Sequence, residues 1–173
     1  MRRAGRAGRV ADVRQAANRA NLPMKTTSVL PDRVLDVLRP GSPVVLVTVG
    51  TDGWGHSALT WAVAVTQNRV RFGVDHGSAT LANLERDGKA TLQVIGAGNT
   101  LSLIKGPAQL LRERIEAAPF GMAMWELSVA EVRDQAWDPV AVSPLAFEWI
   151  GSQAEAMRKI EQAVLAELRD WAG

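Results

Sequence analysis

Residues 44–84 read VVLVTVGTDGWGHSALTWAVAVTQNRVRFGVDHGSATLANL, and this stretch decides the fold class. Val44 to Val49 is an unbroken apolar run of strand length, rich in β-branched residues, as expected of a central strand covered on both faces. Thr51-Asp52-Gly53 supplies a tight turn. His56 to Val65 then alternates, with Ser57, Leu59, Trp61, Val63 and Val65 on one face and the smaller Ala58, Thr60, Ala62 and Ala64 on the other. Gln67-Asn68 turns the chain into Arg69 to Val74, with Val70, Phe72 and Val74 directed inward and Arg71 outward. Strands joined by such short turns pair antiparallel, because parallel neighbours need a long crossover.

The third strand runs through Asp75-His76-Gly77 to Ser78, a natural helix N-cap. Leu81 and Leu84 pack that helix down, Asn83 reads as a helix-surface residue, and Asp87-Gly88 closes the helix. A helix whose first turn carries hydroxyls at the end of a strand suits a phosphate-bearing ligand, since helix N-termini favour anions. The small face of the second strand lets a flat object such as an aromatic ring approach closely. Tight sheet packing accounts for the same pattern.

Outward from this stretch, Pro31-Asp32 opens a short helix with Val34, Leu35 and Leu38 on its apolar face, and Pro40-Gly41 ends it. Lys89 to Ile95 is a further strand. Gly96-Ala97-Gly98-Asn99 is a turn rather than a dinucleotide loop, because a strand follows it instead of a helix. Thr100 to Leu111 is a strand interrupted at Gly106-Pro107, where proline implies an edge or a bulge. Met122 to Val132 reads as one strand in which Trp125, Leu127 and Val129 alternate with Met124, Glu126 and Ser128. Leu145 to Ile150, with Phe147 and Trp149, reads as a last short strand. Ser152-Gln153-Ala154-Glu155 has the form of a capping box, and Met157, Ile160, Val164, Leu168 and Trp171 form the stripe of an amphipathic helix. Six or seven short strands, mostly joined by tight turns, describe an antiparallel barrel or sandwich and disfavour a doubly wound parallel sheet.

At 173 residues the chain fits one domain, and 47% hydrophobic with 22% charged residues is the composition of a folded globular protein. The absence of cysteine excludes disulfides, thiolate metal sites and cysteine nucleophiles, so any redox chemistry must come from a cofactor. No apolar run has the length of a bilayer span and no secretory signal core is present, so no membrane association and a cytoplasmic location are expected. The net charge of +2 is uneven. Residues 1–23 hold six arginines against Asp12 alone, and read most simply as a basic, disordered arm ahead of a domain at 24–151 that carries a C-terminal helix at 152–173. A nucleic-acid partner is not expected.

Several chemistries have no support in the pattern. His56 and His76 lack a helical metal spacing, so no metal site is expected, and there is no Gly-x-Ser-x-Gly nucleophile elbow. Glu126, Glu131 and Glu148 are isolated and read as solvent-side residues; Arg69 and Arg71 read as solvated strand-edge charges. Trp54, Trp61, Trp125, Trp137 and Trp149 read as core and dimer packing rather than a stacking platform for single strands. No catalytic acid, base or nucleophile is assigned.

The order of elements resembles the pyridoxamine 5′-phosphate oxidase-like, FMN-binding split-barrel family over about residues 30–150. The resemblance is carried by residues 44–50 (VVLVTVG), 51–57 (TDGWGHS), 78–84 (SATLANL, similar to Ser/Thr-x-Lys-x-x-Asn/Gln-Leu) and 105–108 (KGPA). It implies a mainly β (α+β) fold, a six- to seven-stranded antiparallel split barrel with a short helix after the third strand and a C-terminal amphipathic helix. It also implies a homodimeric oxidoreductase with FMN at the subunit interface. Carried over by position, Ser78 and Thr80 face the phosphate, Val74 and Asp75 end the strand beside it, Ser57, Ala58 and Leu59 line the flavin, and Ser102 takes a polar ring-facing place. The family's basic phosphate anchors have no counterpart, since Ser57-Ala58 and Ala79-Thr80 stand there. Arg69, Arg71, Lys89 and Lys105 are the cations left to replace them. The alternative is a split-barrel dimer that has lost FMN and binds another ligand, a deazaflavin or haem, or acts without catalysis.

Overall fold

The computed structural model describes residues 25–172; the basic arm read in residues 1–23 lies outside them. The described elements are β1 (Thr26–Thr27), α1 (Asp32–Leu38), β2 (Ser42–Val49), β3 (Gly55–Thr66), β4 (Arg69–Asp75), α2 (Ala79–Asp87), β5 (Lys89–Gly96), β6 (Thr100–Arg112), β7 (Met122–Ser128), β8 (Glu131–Asp134) and α3 (Ala154–Asp170). Hydrogen-bonded neighbours run β1-β8-β6-β5-β2-β3-β4-β7, and a further β6–β7 pairing closes six of these strands into an antiparallel barrel. The mainly β barrel, the short helix after the third barrel strand and the C-terminal helix are as expected from sequence.

The period-two alternation places Val44, Leu46, Ala62, Phe72, Leu92, Ile104 and Leu127 inside the barrel, with α1 packing Val34, Leu35 and Leu38 into the same core. The largest of these side chains each contribute roughly 1.5–3 kcal/mol by leaving water. The small face of β3 therefore points inward, where Ala62 and Ala64 make room for Phe72. Its bulky face, with Trp61 and Val63, meets Val164 and Leu168 of α3 in a second core outside the barrel.

β6 serves two neighbours in turn. Its first half pairs with β8, from Ser102↔Asp134 to Lys105↔Glu131, and its second half with β7, from Ala108↔Leu127 to Arg112↔Met124. The change falls at Gly106-Pro107, where a Cβ on residue 106 would lie 1.8 Å from the Ser128 carbonyl oxygen, so glycine is required by the close backbone approach.

Three expectations are corrected. Met122 to Val132 is two strands, because Val129 N–H bonds the Asn68 carbonyl (2.8 Å) and Ala130 N–H the Lys105 carbonyl (2.9 Å), bending the chain from the barrel wall to the outer edge of β6. Leu145 to Ile150 forms no ladder; Leu145 N–H bonds Ile95 O at 2.9 Å, and Phe147 and Trp149 pack by their side chains. The capping box is not made, since α3 starts after Gln153 without a side-chain cap. Of the tryptophans, Trp125 lies in the barrel core, Trp61 and Trp149 belong to the outer core, and Trp54 and Trp137 are 77% and 51% exposed.

Candidate functional site

β3 and β4 are paired only from Ala62↔Phe72 to Thr66↔Arg69. Beyond that point β4 stays with β7 as far as Asp75↔Met122, while β3 continues with β2 alone. Thr60 Oγ1 donates to Gly73 O at 2.6 Å across the opening gap. The divergence leaves a cleft of about 380 Å³ between the two strands, a size typical of small-molecule sites.

The start of α2 closes one end of the cleft. Ser78 caps this helix as its sequence position predicts, accepting from Leu81 N–H at 3.1 Å and donating to Asp75 O at 2.7 Å. Gly88, with φ +57°, ends the helix in the left-handed conformation that glycine adopts without strain. Asn83 is not a surface residue: its Nδ2 donates to Thr48 Oγ1 at 3.0 Å in a buried contact that ties α2 to β2. Thr80 is 3% exposed, lines the cleft, and its Oγ1 has no hydrogen-bond partner.

The opposite wall is aromatic. Phe147 and Trp149 meet edge to face at 5.4 Å, and Trp61 lies 6.4 Å from each. Glu161 of α3 holds both indoles, accepting from Trp61 Nε1 at 3.1 Å and from Trp149 Nε1 at 2.7 Å. Phe120 and Met122 complete that side, and Leu59 stands 55% exposed at the mouth.

Of the residues singled out by sequence, Ala58, Leu59, Val74, Asp75, Ser78 and Thr80 are brought together in this cleft. Ser57 is exposed on β3 outside the lining. Ser102 is fully buried on β6 beside a separate cavity with Arg33 and Asp134. The aromatic wall escapes sequence reading. Phe147 and Trp149 are legible as large side chains of an alternating segment, but nothing local reveals that this segment folds back onto Trp61.

The electrostatics of the cleft are unusual for an anion site, because among the described residues its lining holds no lysine, arginine or histidine and its charged member is Asp75. The cations considered as replacements lie elsewhere. Arg71 and Arg69 face Glu126, at 3.1 and 3.6 Å, and Lys105 faces Glu131 at 3.4 Å. Lys89 is exposed at the start of β5, outside the lining. Arg71 is not a solvated edge charge, nor Glu126 a solvent-side one; both are buried beneath α3. At the far end of α2, Arg86 bonds Asp87, Asn83 Oδ1 and the Val49 carbonyl. Its hydrogen bond holds the Asp87 carboxyl below the ordinary carboxylate range, and the same bond raises Arg86. Glu131 is lowered likewise, chiefly by its hydrogen bond from Arg133.

A six-stranded antiparallel barrel that opens into a cleft where two neighbouring strands part defines the split-barrel class of proteins. Residues 30–160 match the family model described as pyridoxamine 5′-phosphate oxidase, and the chain belongs to that family. Among solved structures, a pyridoxamine 5′-phosphate oxidase-like protein of Lactobacillus delbrueckii is 16% identical with a TM-score of 0.53, over 64% of this chain and 98% of its own. An F420 reductase is 14% identical over 56% of this chain and 91% of its own (TM-score 0.48). HupZ of Group A Streptococcus is 14% identical over 59% and 90% (TM-score 0.46). The first of these, at a TM-score of 0.53, marks a likeness of fold. No curated protein matches the chain.

Proposed function

We propose that this protein binds a flat conjugated ring of the flavin class in the cleft between β3 and β4, and acts as a homodimeric oxidoreductase whose electron transfer is supplied by the bound ring. The observation that carries this reading is Thr80 Oγ1, a buried hydroxyl without a partner in a cleft lined mainly by aromatic and aliphatic side chains. Leaving such a group unsatisfied costs about 1–3 kcal/mol, a cost that a polar atom of a bound molecule removes. Apolar walls with a few convergent polar groups are what a ring with heteroatoms at its edge requires. The mouth residues Leu59 and Phe120, 55% and 38% exposed, give a second copy of the chain apolar surface to cover.

FMN as a whole does not fit this lining. Its ring matches the walls, but its phosphate carries nearly two negative charges and would meet Asp75 and, among the described residues, no cation. The Ser78 hydroxyl, moreover, is already engaged as donor and acceptor. This absence of cationic anchors favours a second reading, a split-barrel protein that holds a different conjugated ligand without catalysis. Titration of the purified protein with riboflavin and FMN, followed by flavin fluorescence and visible absorbance, tests the first reading. Quenched flavin emission with saturable binding is the expected result; no uptake of either flavin at saturating concentration overturns it. Light scattering tests the dimer, and a monomer in the presence of bound flavin would refute that part.

A further inference from the structure

We propose that the cleft selects a flavin-type ring with an uncharged polyol tail over the same ring ending in a phosphate monoester, a selectivity that rests on the flavin reading above. Three observations converge on it. Among the described residues the lining contains one charged side chain, Asp75, and no cation. Arg71 and Arg86 lie outside the lining and are held by other groups: Arg71 by Glu126 and the Leu168 and Trp171 carbonyls, Arg86 by Asp87, Asn83 and the Val49 carbonyl. The Ser78 hydroxyl caps α2 with both of its hydrogen-bonding functions in use.

What remains free in chemical character is one hydroxyl, Thr80 Oγ1, and one carboxylate. A hydroxyl both donates and accepts, whereas an ionised carboxylate only accepts. A polyol satisfies the pair, since one of its hydroxyls donates to Asp75 and another exchanges a bond with Thr80. A phosphate dianion offers acceptor oxygens and negative charge, and so meets Asp75 as acceptor against acceptor and like charge against like charge. The helix N-terminus of α2 attracts either ligand's oxygen atoms, but its partial charge is about half a unit and stands beside the full charge of Asp75.

The test compares riboflavin and FMN on the full chain, for the native protein and for Asp75→Asn and Asp75→Lys, at low and high ionic strength. Asp75 is exposed, so both variants are expected to fold, and far-ultraviolet circular dichroism checks this. Riboflavin is expected to bind at least about tenfold more tightly than FMN at low salt, with the gap narrowing as salt screens the repulsion. Asp75→Asn, which keeps an acceptor oxygen but loses the charge, is expected to strengthen FMN binding and weaken riboflavin binding, so that the gap narrows, and Asp75→Lys to reverse the preference. Equal affinities, or tighter FMN binding by the native protein, overturn the proposed selectivity and leave the flavin reading standing. Failure of both flavins to bind overturns the flavin reading and this inference with it. A native preference for riboflavin that does not respond to Asp75→Lys removes Asp75 as its cause and overturns the charge-repulsion mechanism.

Discussion

Arg71 Nε lies 3.1 Å from Glu126 Oε2, directly across the β4–β7 ladder, and the two residues are 8% and 3% exposed. The same guanidinium donates to the last carbonyls of the C-terminal helix, Leu168 O at 3.1 Å and Trp171 O at 2.8 Å, and stacks 5.4 Å from the Trp171 ring. One side chain thus neutralises a buried carboxylate and fastens α3 to the outside of the barrel. That helix in turn carries Glu161, so the pair supports the wall of the cleft at a distance.

Removing one member of a buried ion pair costs about 3–5 kcal/mol when the other is left uncompensated, and without Arg71 the buried Glu126 keeps only the exposed Arg69, 3.6 Å away. Arg71→Met is therefore expected to lower the urea midpoint strongly. Arg71→Met with Glu126→Leu is expected to recover most of the loss, because apolar residues of similar size often replace a buried pair without penalty. A double variant as unstable as the single one would show that the helix-end hydrogen bonds, not the charge, are what Arg71 supplies.

Gly106→Ala tests the closure of the barrel. The added methyl would lie 1.8 Å from the Ser128 carbonyl oxygen, which belongs to backbone and cannot rotate away. Overpacking of this kind costs about 1–3 kcal/mol, and a backbone neighbour places Gly106→Ala at the upper end. Thermal unfolding measures it; a change within error would mean that β6 and β7 separate freely at this point.

Most of the barrel is legible in the sequence because its strands alternate in the open. The turns at Asp52-Gly53 and Gly98-Asn99, with φ of +80° at Gly53, +66° at Gly98 and +55° at Asn99, need residues that tolerate left-handed backbone, and the sequence carries them there. Arg71 and Glu126 mislead for a definite reason. Both alternate with inward-facing apolar residues, which marks them for the outer face, and the outer face of β4 and β7 would be solvent were α3 not lying on it. Periodicity reports which face a residue takes, not what covers that face. The cleft divides in the same way. Its strand and helix ends are visible as a local juncture, whereas its aromatic wall depends on a contact between Trp61 and a segment more than eighty residues later.

Asn83→Leu tests how α2 is held. Asn83 bridges Thr48 on one side and accepts from Arg86 Nη1 at 3.2 Å on the other, so the substitution leaves the buried Thr48 hydroxyl without this donor. A loss of about 1–3 kcal/mol is expected in denaturant unfolding. Asn83→Leu with Thr48→Val, which removes both polar ends, is expected to be milder than the single change.

Glu161 links the outer core to the site, since its carboxylate accepts from both indoles of the cleft wall. Hydrogen bonds to an ionised acceptor contribute about 1.5–3 kcal/mol each. Glu161→Gln keeps one carbonyl acceptor and loses the charge, while Glu161→Ala releases both rings. The expected order of stability is native, Glu161→Gln, Glu161→Ala. Loosened indoles gain contact with water, so tryptophan emission is expected to shift to longer wavelength in the same order. Riboflavin affinity is expected to fall about tenfold in Glu161→Ala, the equivalent of ~1.4 kcal/mol, because the wall that faces the ring is no longer fixed. If stability falls while affinity holds, Trp61 and Trp149 are packing residues of the outer core and the ring is held from the β4 and α2 side alone.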